Sequence, residues 1–164
     1  MEAAEAFYVG RGQPPRFQVS ERAAPVELRA LLKRRGYRED ARTDVQTAPL
    51  TGLAGRAAAE WVIEEAPIPG DRWWSIYSTV EQGSIRPAEG TDVETAFRGT
   101  LLRPSDPTIF VTASRDGETA AAGQGVAQGE WLGVQCLATL PKHRRLGAAR
   151  TLMAALGHLG QDRR

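Results

Sequence analysis

The stretch from Glu130 to Leu159 constrains the fold more than any other part of the sequence, which there runs EWLGVQCLATLPKHRRLGAARTLMAALGHL. Residues 131–140 form a short apolar run preceded by glycine, which is the pattern of a buried strand. Pro141 ends the strand because proline has no N–H to donate to a neighbouring strand. From Ala148 onwards, alanine and leucine recur at helical spacing. The sequence therefore predicts a strand, a basic turn (residues 141–147) that contains glycine, and a helix.

The basic turn has the chemistry of an anion site. The first turn of a helix leaves several N–H groups without intrahelical partners, and the helix dipole adds partial positive charge there. Gly147 would let a ligand approach the backbone closely. Three arginines surround the same point: Arg144, Arg145 and Arg150. The turn suits a phosphate or pyrophosphate group, although an ordinary solvated turn before a surface helix fits the same residues.

Residues 144–149 fit the pattern R/Q-x-x-G-x-G/A, with Arg144, Gly147 and Ala149 at its defining positions. Together with the apolar strand, Pro141 and the amphipathic helix, this segment resembles the acyl-CoA-binding segment of the GNAT superfamily of N-acetyltransferases. The resemblance implies acetyl-CoA as co-substrate. It also implies that the strand backbone pairs with the pantetheine arm, while the turn and the helix N-terminus hold the pyrophosphate.

Carried over by position, the resemblance implies two groups of cofactor-binding residues. Pantetheine would meet Leu137, Ala138 and Thr139. The pyrophosphate would be held by Arg144, Arg145, Leu146, Gly147, Ala148, Ala149 and Arg150. We expect Gly147→Val to abolish CoA binding with little loss of fold, because its side chain would block the approach of pyrophosphate to the backbone.

Length and charge limit the number of domains and the kinds of ligand that this chain can have. A chain of 164 residues holds one domain, or one domain with part of another. The net charge is only +1, yet residues 142–164 contain six basic residues and one acidic residue. This local excess favours an anionic cofactor. The same basic residues could also bind nucleic acid. That hypothesis is less favoured, because no aromatic residues that could stack on bases interleave with the basic ones.

Cysteine usage and hydropathy indicate the compartment. Cys136 is the only cysteine, which excludes an internal disulfide and favours a reducing compartment. We predict that it is a small core residue and not a nucleophile, because nothing near it in sequence would stabilise a thiolate. No apolar run is long enough to span a membrane, and the N-terminus lacks the pattern of a signal peptide. We therefore predict a cytoplasmic location, and two histidines with one cysteine predict no metal site.

Residues 1–50 read as helix, strand, helix and strand, with the strands at residues 17–19 and 43–47. This segment has too little apolar surface to be a domain alone. Its second helix ends in Arg-Gly-Tyr at residues 35–37, and Tyr8–Phe17 resembles the Y-x-x-R-G-x-P-P-x-F segment of bacterial proteins with two GNAT-like units. The resemblance implies the C-terminal half of a GNAT-like unit, while a generic α+β extension is the alternative.

Residues 51–57 are small and glycine-containing, which favours a linker. Residues 58–164 then read as strand, two helices, three strands and helix, which resembles the N-terminal part of a GNAT domain. The second of these helices is predicted from about Thr91 to Leu101. We therefore predict an α+β, GNAT-like fold, with a mixed, largely antiparallel sheet flanked by helices and with an incomplete second unit. The aromatic residues after Asp71 are interpreted as a packed helix face, not as a pocket lining.

A complete GNAT domain continues beyond this last helix with a further strand and helix. We therefore expect this chain to be the middle of a tandem protein, truncated at both ends. The predicted strand at residues 131–140 would then have an unpaired apolar edge, which favours association. We expect that residues 1–50 or a second copy, in a homodimer, cover it.

The resemblance implies an N-acetyltransferase that moves acetyl from acetyl-CoA to a primary amine, either a small molecule or a peptide N-terminus. A non-catalytic GNAT-like binding or interaction module, or a degenerate fragment, is the alternative. No catalytic residue is assigned. Glu130 is the only acid close to the fourth strand but lies at its start, and His143 is expected to face the nucleotide half of the cofactor or solvent.

Overall fold

The computed structural model describes residues 1–40, 42–53, 58–81, 93–102 and 106–162. It divides the chain into two compact units, Met1–Thr47 and Ala48–Arg164. Within the described ranges, no helix has both the length and the apolar character needed to cross a membrane.

The N-terminal unit contains two helices, α1 (Glu2–Val9) and α2 (Leu28–Arg34). Arg35, just after α2, donates to Glu5 Oε2 at 2.6 Å and to Glu2 Oε1 at 3.2 Å. The Tyr37 hydroxyl donates to the other oxygen of Glu5 at 3.0 Å. These bonds tie the residues that follow α2 to one face of α1.

The strands predicted at residues 17–19 and 43–47 are absent. Both segments lie in the described part of the N-terminal unit and have no regular secondary structure. A strand persists only where a neighbouring strand satisfies its backbone groups, and the described residues of this unit contain no such ladder. Strand-favouring composition was therefore misleading here.

The C-terminal unit is built on a four-stranded antiparallel sheet in which the strands follow sequence order. Its strands are β1 (Val62–Ala66), β2 (Thr108–Arg115), β3 (Glu118–Gln128) and β4 (Trp131–Thr139). Its helices are α3 (Asp71–Glu81), α4 (Val93–Leu101) and α5 (Ala148–Asp162), with short 3-10 turns at Leu50–Gly52 and Pro141–His143. The predicted α+β class is confirmed. The expected helix start at Thr91 and residues 54–57 of the expected linker lie outside the described residues.

Each face of the sheet packs against helices through its own apolar cluster. On one face, α5 contributes Leu152 and Leu156 to a cluster with Trp61 and Val111. The other cluster combines α3 with the sheet and α4: Trp73, Trp74, Ile76, Leu101, Phe110, Ala122 and Ala138. The aromatic residues of α3 therefore form a packed helix face, as the sequence predicts.

A bulge interrupts the pairing of β4 with β3. Two residues of β4, Cys136 and Leu137, lie opposite the single residue Gly123. The bulge separates two regular pairs: Ala122–Ala138 and Gln124–Gln135. Cys136 has a φ of +51°, a left-handed conformation that costs a non-glycine residue about 1–3 kcal/mol.

The bulge also changes which face of the sheet β4 uses. Before it, Leu132 and Val134 pack on the cluster that faces α5. After it, Cys136 and Ala138 pack on the cluster that faces α3. Side chains alternate with a period of two, so one inserted residue transfers the rest of the strand to the opposite face.

Glycines on β3 let α5 lie close to the sheet. A Cβ at Gly125 would lie 2.8 Å from Leu156 Cδ2, and a Cβ at Gly123 would lie 3.2 Å from Leu137 Cδ1. A side chain at Gly125 would push Leu156 of α5 away from the sheet, whereas one at Gly123 would first meet Leu137 of β4, so Gly125 is the position that lets α5 pack closely.

Truncation of Leu152 tests this packing. The residue is 0% exposed, so Leu152→Ala should lower the free energy of unfolding by about 2–5 kcal/mol through lost burial and a residual cavity. Urea denaturation measures the change. Val62→Ala, at a residue that is 62% exposed, is the control and should cost about 1 kcal/mol or less. Equal losses in the two variants would contradict this description of the core.

Candidate functional site

The backbone of β4 is open on one side, because β4 is the edge strand of the sheet. The Leu140 N–H faces β3 and donates to the Ala120 carbonyl at 2.9 Å. Backbone groups of successive residues in a regular strand alternate in direction, so those of Thr139 face the open edge. The Thr139 carbonyl does accept from Arg144 Nε at 3.3 Å on that side. Of the three residues predicted to meet pantetheine, Thr139 directs its backbone to the open edge, Ala138 directs its backbone toward β3, and Leu137 lies in the bulge.

The basic turn ends at the N-terminus of α5. Arg144 is extended, with φ −66° and ψ 149°, and both Arg145 and Gly147 are left-handed, with φ +66° and +93°. The first N–H of α5 to bond back along the chain is that of Thr151, which donates to the Gly147 carbonyl at 3.0 Å. The N–H groups of residues 148–150 therefore have no acceptor within the helix.

Trp61 and Thr151 bond to the basic turn from the interior of the protein. Trp61, which is 5% exposed, donates from Nε1 to the Leu146 carbonyl at 3.1 Å. Thr151 Oγ1 donates to the Gly147 carbonyl at 3.2 Å and accepts from the Ala58 N–H at 3.1 Å. Carbonyls of the turn are thus bonded inward.

No sequence pattern predicts that Trp61 bonds to the basic turn. It lies 85 positions before Leu146 in the chain, just before β1, and an aromatic residue there is expected simply to pack in the core. Thr151 offers a weak signal, because threonine hydroxyls in helices often bond to the carbonyl four residues earlier.

The expected reason for glycine at position 147 is wrong. A Cβ on Gly147 would lie 3.7 Å from Trp61 Nε1 and 3.9 Å from Ala58 Cβ, so it would point into the protein and not toward a ligand. Glycine is favoured here by the positive φ, which residues other than glycine rarely adopt. Valine at this position would strain the turn itself, contrary to the expectation of little loss of fold.

Glu118, at the start of β3, neutralises part of the positive charge of the basic turn. Its carboxylate pairs with Lys142 Nζ, and its second oxygen lies 3.3 Å from His143 Nε2. The hydrogen bond from Lys142 holds the pKa of the Glu118 carboxyl below its usual value. The exposed cations that remain around the turn are arginines: Arg144, Arg145 and Arg150.

His143 does not face outward as expected. Its side chain is 14% exposed and meets the ring of Trp61 edge-on, with the centroids 6.2 Å apart. Glu130 is exposed at the start of β4, at the opposite end of the strand from the basic turn. Glu130 is thus separated from the basic turn by the length of β4, and His143 lies within the turn but packs against Trp61.

Cys136 is half-buried in the β4 bulge. Burial raises the pKa of its thiol above the ordinary value, so the group is a neutral thiol near pH 7. This agrees with the prediction that it is not a nucleophile. The sequence does not reveal that it occupies a bulge, because non-glycine residues rarely adopt a positive φ.

Residues 71–164, more than half of the chain, match the Acetyltransferase (GNAT) family. The chain therefore belongs to the GNAT acetyltransferases. The match covers α3 through α5, and so includes β4 and the basic turn. No curated protein matches the sequence.

Solved structures with a similar fold include a functionally unknown conserved protein from Staphylococcus epidermidis, with 12% identity over 68% of this chain and a TM-score of 0.48. This chain spans only 42% of the length of that protein. AAC(6')-Iy, solved with the bisubstrate analog CoA-S-monomethyl-acetylneamine, has 16% identity over 64% of this chain and 74% of its own, with a TM-score of 0.48. An aminoglycoside acetyltransferase from an uncultured soil metagenomic sample, solved with sisomicin, has 14% identity over 63% and 72% of the two chains and a TM-score of 0.45.

Replacing Trp61 tests the support of the basic turn. Trp61→Phe keeps an aromatic ring but removes the donor to the Leu146 carbonyl, so the free energy of unfolding should fall by about 1–3 kcal/mol. Trp131→Phe is the matched control, because Trp131 is 69% exposed. Chemical denaturation compares the two variants. A loss at Trp131 as large as that at Trp61 would show that the indole bond has no special role.

Proposed function

We propose that this chain binds acetyl-CoA along β4 and at the N-terminus of α5, and transfers the acetyl group to a primary amine. The observation that carries the proposal is the continuity of the two surfaces. The open backbone edge of β4 ends at Thr139, and the chain then passes through the basic turn into the first turn of α5, whose N–H groups have no acceptor within the helix. An elongated ligand with amides at one end and phosphates at the other fits that order.

The strand end of this surface suits the pantetheine arm. Its amides can pair with backbone groups that face the open edge, in the way that an added strand pairs with a sheet. Thr139 offers such groups, and Leu137 lies two residues before it on the same strand. Ala138 supports the proposal differently, because its side chain is 2% exposed and anchors this part of β4 in the α3 cluster.

The helix end suits the pyrophosphate. The N–H groups of Ala148, Ala149 and Arg150 lie in the first turn of a 15-residue helix, where the helix dipole favours an anion. Leu146 and Gly147 shape the approach to them, since their carbonyls are held by Trp61 and Thr151. The three exposed arginines of the turn and of α5 supply positive charge.

The reaction joins the amine nitrogen to the thioester carbonyl carbon and breaks the carbon–sulfur bond, so that CoA leaves as a thiol. The amine must be neutral when it attacks, and the carbonyl oxygen must meet a hydrogen-bond donor as it gains charge. A backbone N–H on the open edge of β4 is a donor of this kind. The acceptor class that we propose is a primary amine of a small molecule or a peptide N-terminus.

We also propose a domain context, an oligomeric state and a cellular location for this chain. We place residues 1–50 as the C-terminal half of a preceding GNAT-like unit, supported by the Gly36 φ of +85° and by Tyr37 directly after α2. We also propose a homodimer, supported by the open edge of β4, and a cytoplasmic location, supported by the single cysteine.

A non-catalytic binding module is the second candidate. The described residues supply one wall for the pantetheine arm, because β4 is the last strand of the sheet. A protein with this site could bind the cofactor and transfer nothing. Binding and turnover therefore have to be measured separately.

Calorimetric titration of the purified chain with acetyl-CoA tests the binding step. We expect saturable binding with a Kd in the micromolar range, about −8 kcal/mol. Dephospho-CoA as ligand tests the contribution of the 3′-phosphate, and ATP tests the nucleotide part without pantetheine. An assay of free thiol release with a panel of amines follows. Absence of binding by the folded chain would overturn the proposal, and binding without thiol release would favour the second candidate.

Arginine substitutions test the charged end of the surface. Arg145→Ala and Arg150→Ala should each weaken acetyl-CoA binding about tenfold, which is a typical loss for one charged hydrogen bond. Added salt should weaken binding by the wild-type chain more than binding by either variant. Arg72→Ala is the matched control, since Arg72 is also exposed but pairs with Glu64 on β1. If the control weakens binding as much as the others, the cations of the turn are not the phosphate site.

A further inference from the structure

Helix α3 crosses the sheet from one edge strand toward the other. Near its start, Arg72 donates from Nη1 to both carboxylate oxygens of Glu64 on β1, at 3.3 Å. Trp73 meets the ring of Phe110 on β2 edge-on, with the centroids 5.3 Å apart, and donates from Nε1 to the Gly123 carbonyl of β3 at 2.8 Å. The helix also packs against β4. Its path therefore runs from β1 toward the open edge of β4.

The crossing lies at the level of the β4 bulge. One row of paired residues runs straight across the four strands at this level: Glu64, Thr112, Ala122 and Ala138. Gly123, whose carbonyl accepts from Trp73, is the next residue of β3 and lies opposite the bulge. The helix therefore passes over the part of β4 that holds the pantetheine arm in the proposed function.

The length of α3 brings its last residue to the open edge. The helix has 11 residues, which corresponds to about 15 Å. The three spacings that separate β1 from β4 add up to about 14 Å. A helix that begins over β1 and crosses these spacings therefore ends over β4. Its last residue is Glu81.

Glu81 also lies on the face of α3 that packs on the sheet. Trp73, Tyr77 and Glu81 are spaced by four residues, so their side chains share one face of the helix. Trp73 is 2% exposed, and the other two are half-buried. Burial raises the pKa of the Tyr77 hydroxyl, and the Glu81 carboxylate adds to this rise, which agrees with an acid close to Tyr77.

The carboxylate of Glu81 differs from its neighbours in having no partner within the described ranges of the chain. Glu64 pairs with Arg72, and Glu118 pairs with Lys142. A half-buried carboxylate has lost part of its hydration, and a cation that binds there restores the lost interaction. Glu81 therefore offers a binding site for a positively charged group beside the bulge.

We propose that Glu81 binds a protonated amino group of the acceptor at the open edge of β4, and so selects acceptors that carry two amino groups. The inference rests on the proposed function, in which the reacting amine attacks the thioester beside the same edge. That amine must be neutral when it attacks, so a different amino group has to supply the ammonium ion that pairs with Glu81. A diamine supplies both groups.

Two variants of Glu81 and one control separate charge from shape. Glu81→Gln keeps the size of the side chain and removes its charge, whereas Glu81→Asp keeps the charge on a shorter side chain. Glu65→Gln is the matched control, because Glu65 is an exposed glutamate on β1, the opposite edge strand.

The first measurement is calorimetric titration with diaminobutane and with butylamine, which has the same carbon chain and one amino group. Each titration is made without CoA and with saturating CoA, which carries no acetyl group to transfer. The wild-type chain and Glu65→Gln should bind diaminobutane about tenfold more tightly than butylamine, a typical effect of one charged hydrogen bond. Glu81→Gln should bind the two amines about equally, and Glu81→Asp should keep part of the preference.

The preference for the diamine is a readout that a purely structural role of Glu81 would not change. If the wild-type chain does not bind diaminobutane, or binds both amines equally, the inference is wrong. An unchanged preference in Glu81→Gln would overturn it as well.

The second measurement is thiol release from acetyl-CoA with the same two amines. Glu81→Gln should lower kcat/KM for diaminobutane about tenfold, with the KM for acetyl-CoA within about threefold because the basic turn is unchanged. Thiol release that is insensitive to Glu81→Gln would overturn the inference while the proposed function stands. Binding of diaminobutane that depends on Glu81, without thiol release, would defeat the proposed transfer and support the amine site.

Discussion

The structure of the C-terminal unit depends on one extra residue in β4. Without the bulge at Cys136 and Leu137, the strand would keep a single alternation, and Ala138 would point toward α5. The bulge lets the first part of β4 complete the α5 cluster and the last part complete the α3 cluster. The same strand thus contributes to both apolar layers and leads into the basic turn of the candidate site.

A second constraint acts through Trp61, which connects the start of β1 to the basic turn. The buried indole bonds to the Leu146 carbonyl and packs beside Gly147. Carbonyls of the turn are thereby satisfied inside the protein, while the first N–H groups of α5 have no acceptor within the helix. Anion binding by a helix N-terminus needs this separation of donors from acceptors. Membership of the GNAT acetyltransferases agrees with such a site, because the family match includes the turn.

Local patterns in the sequence predicted β4, the basic turn and α5, because each element depends on neighbouring residues. An apolar run that ends at Pro141 predicted the strand, the glycine and the basic residues predicted the turn, and helical periodicity predicted the helix. These local patterns could not predict contacts between residues that are far apart in the sequence. The bond of Trp61 to a residue 85 positions away and the positive φ of Cys136 depend on tertiary packing. The strands expected within residues 1–50 failed for the same reason, since strand composition without a partner forms no ladder. The inward direction of Gly147 likewise could not be read from its place in the motif.

The central claim is that the open edge of β4 and the N-terminus of α5 bind one ligand together. Amide hydrogen exchange of the whole chain with and without saturating acetyl-CoA tests this directly. The account predicts slower exchange at Leu137, at Thr139 and at residues 148–150, with little change in β1 or β2. Protection confined to the turn would contradict the pairing of the pantetheine arm with β4. An absence of protection at both places would contradict the account as a whole.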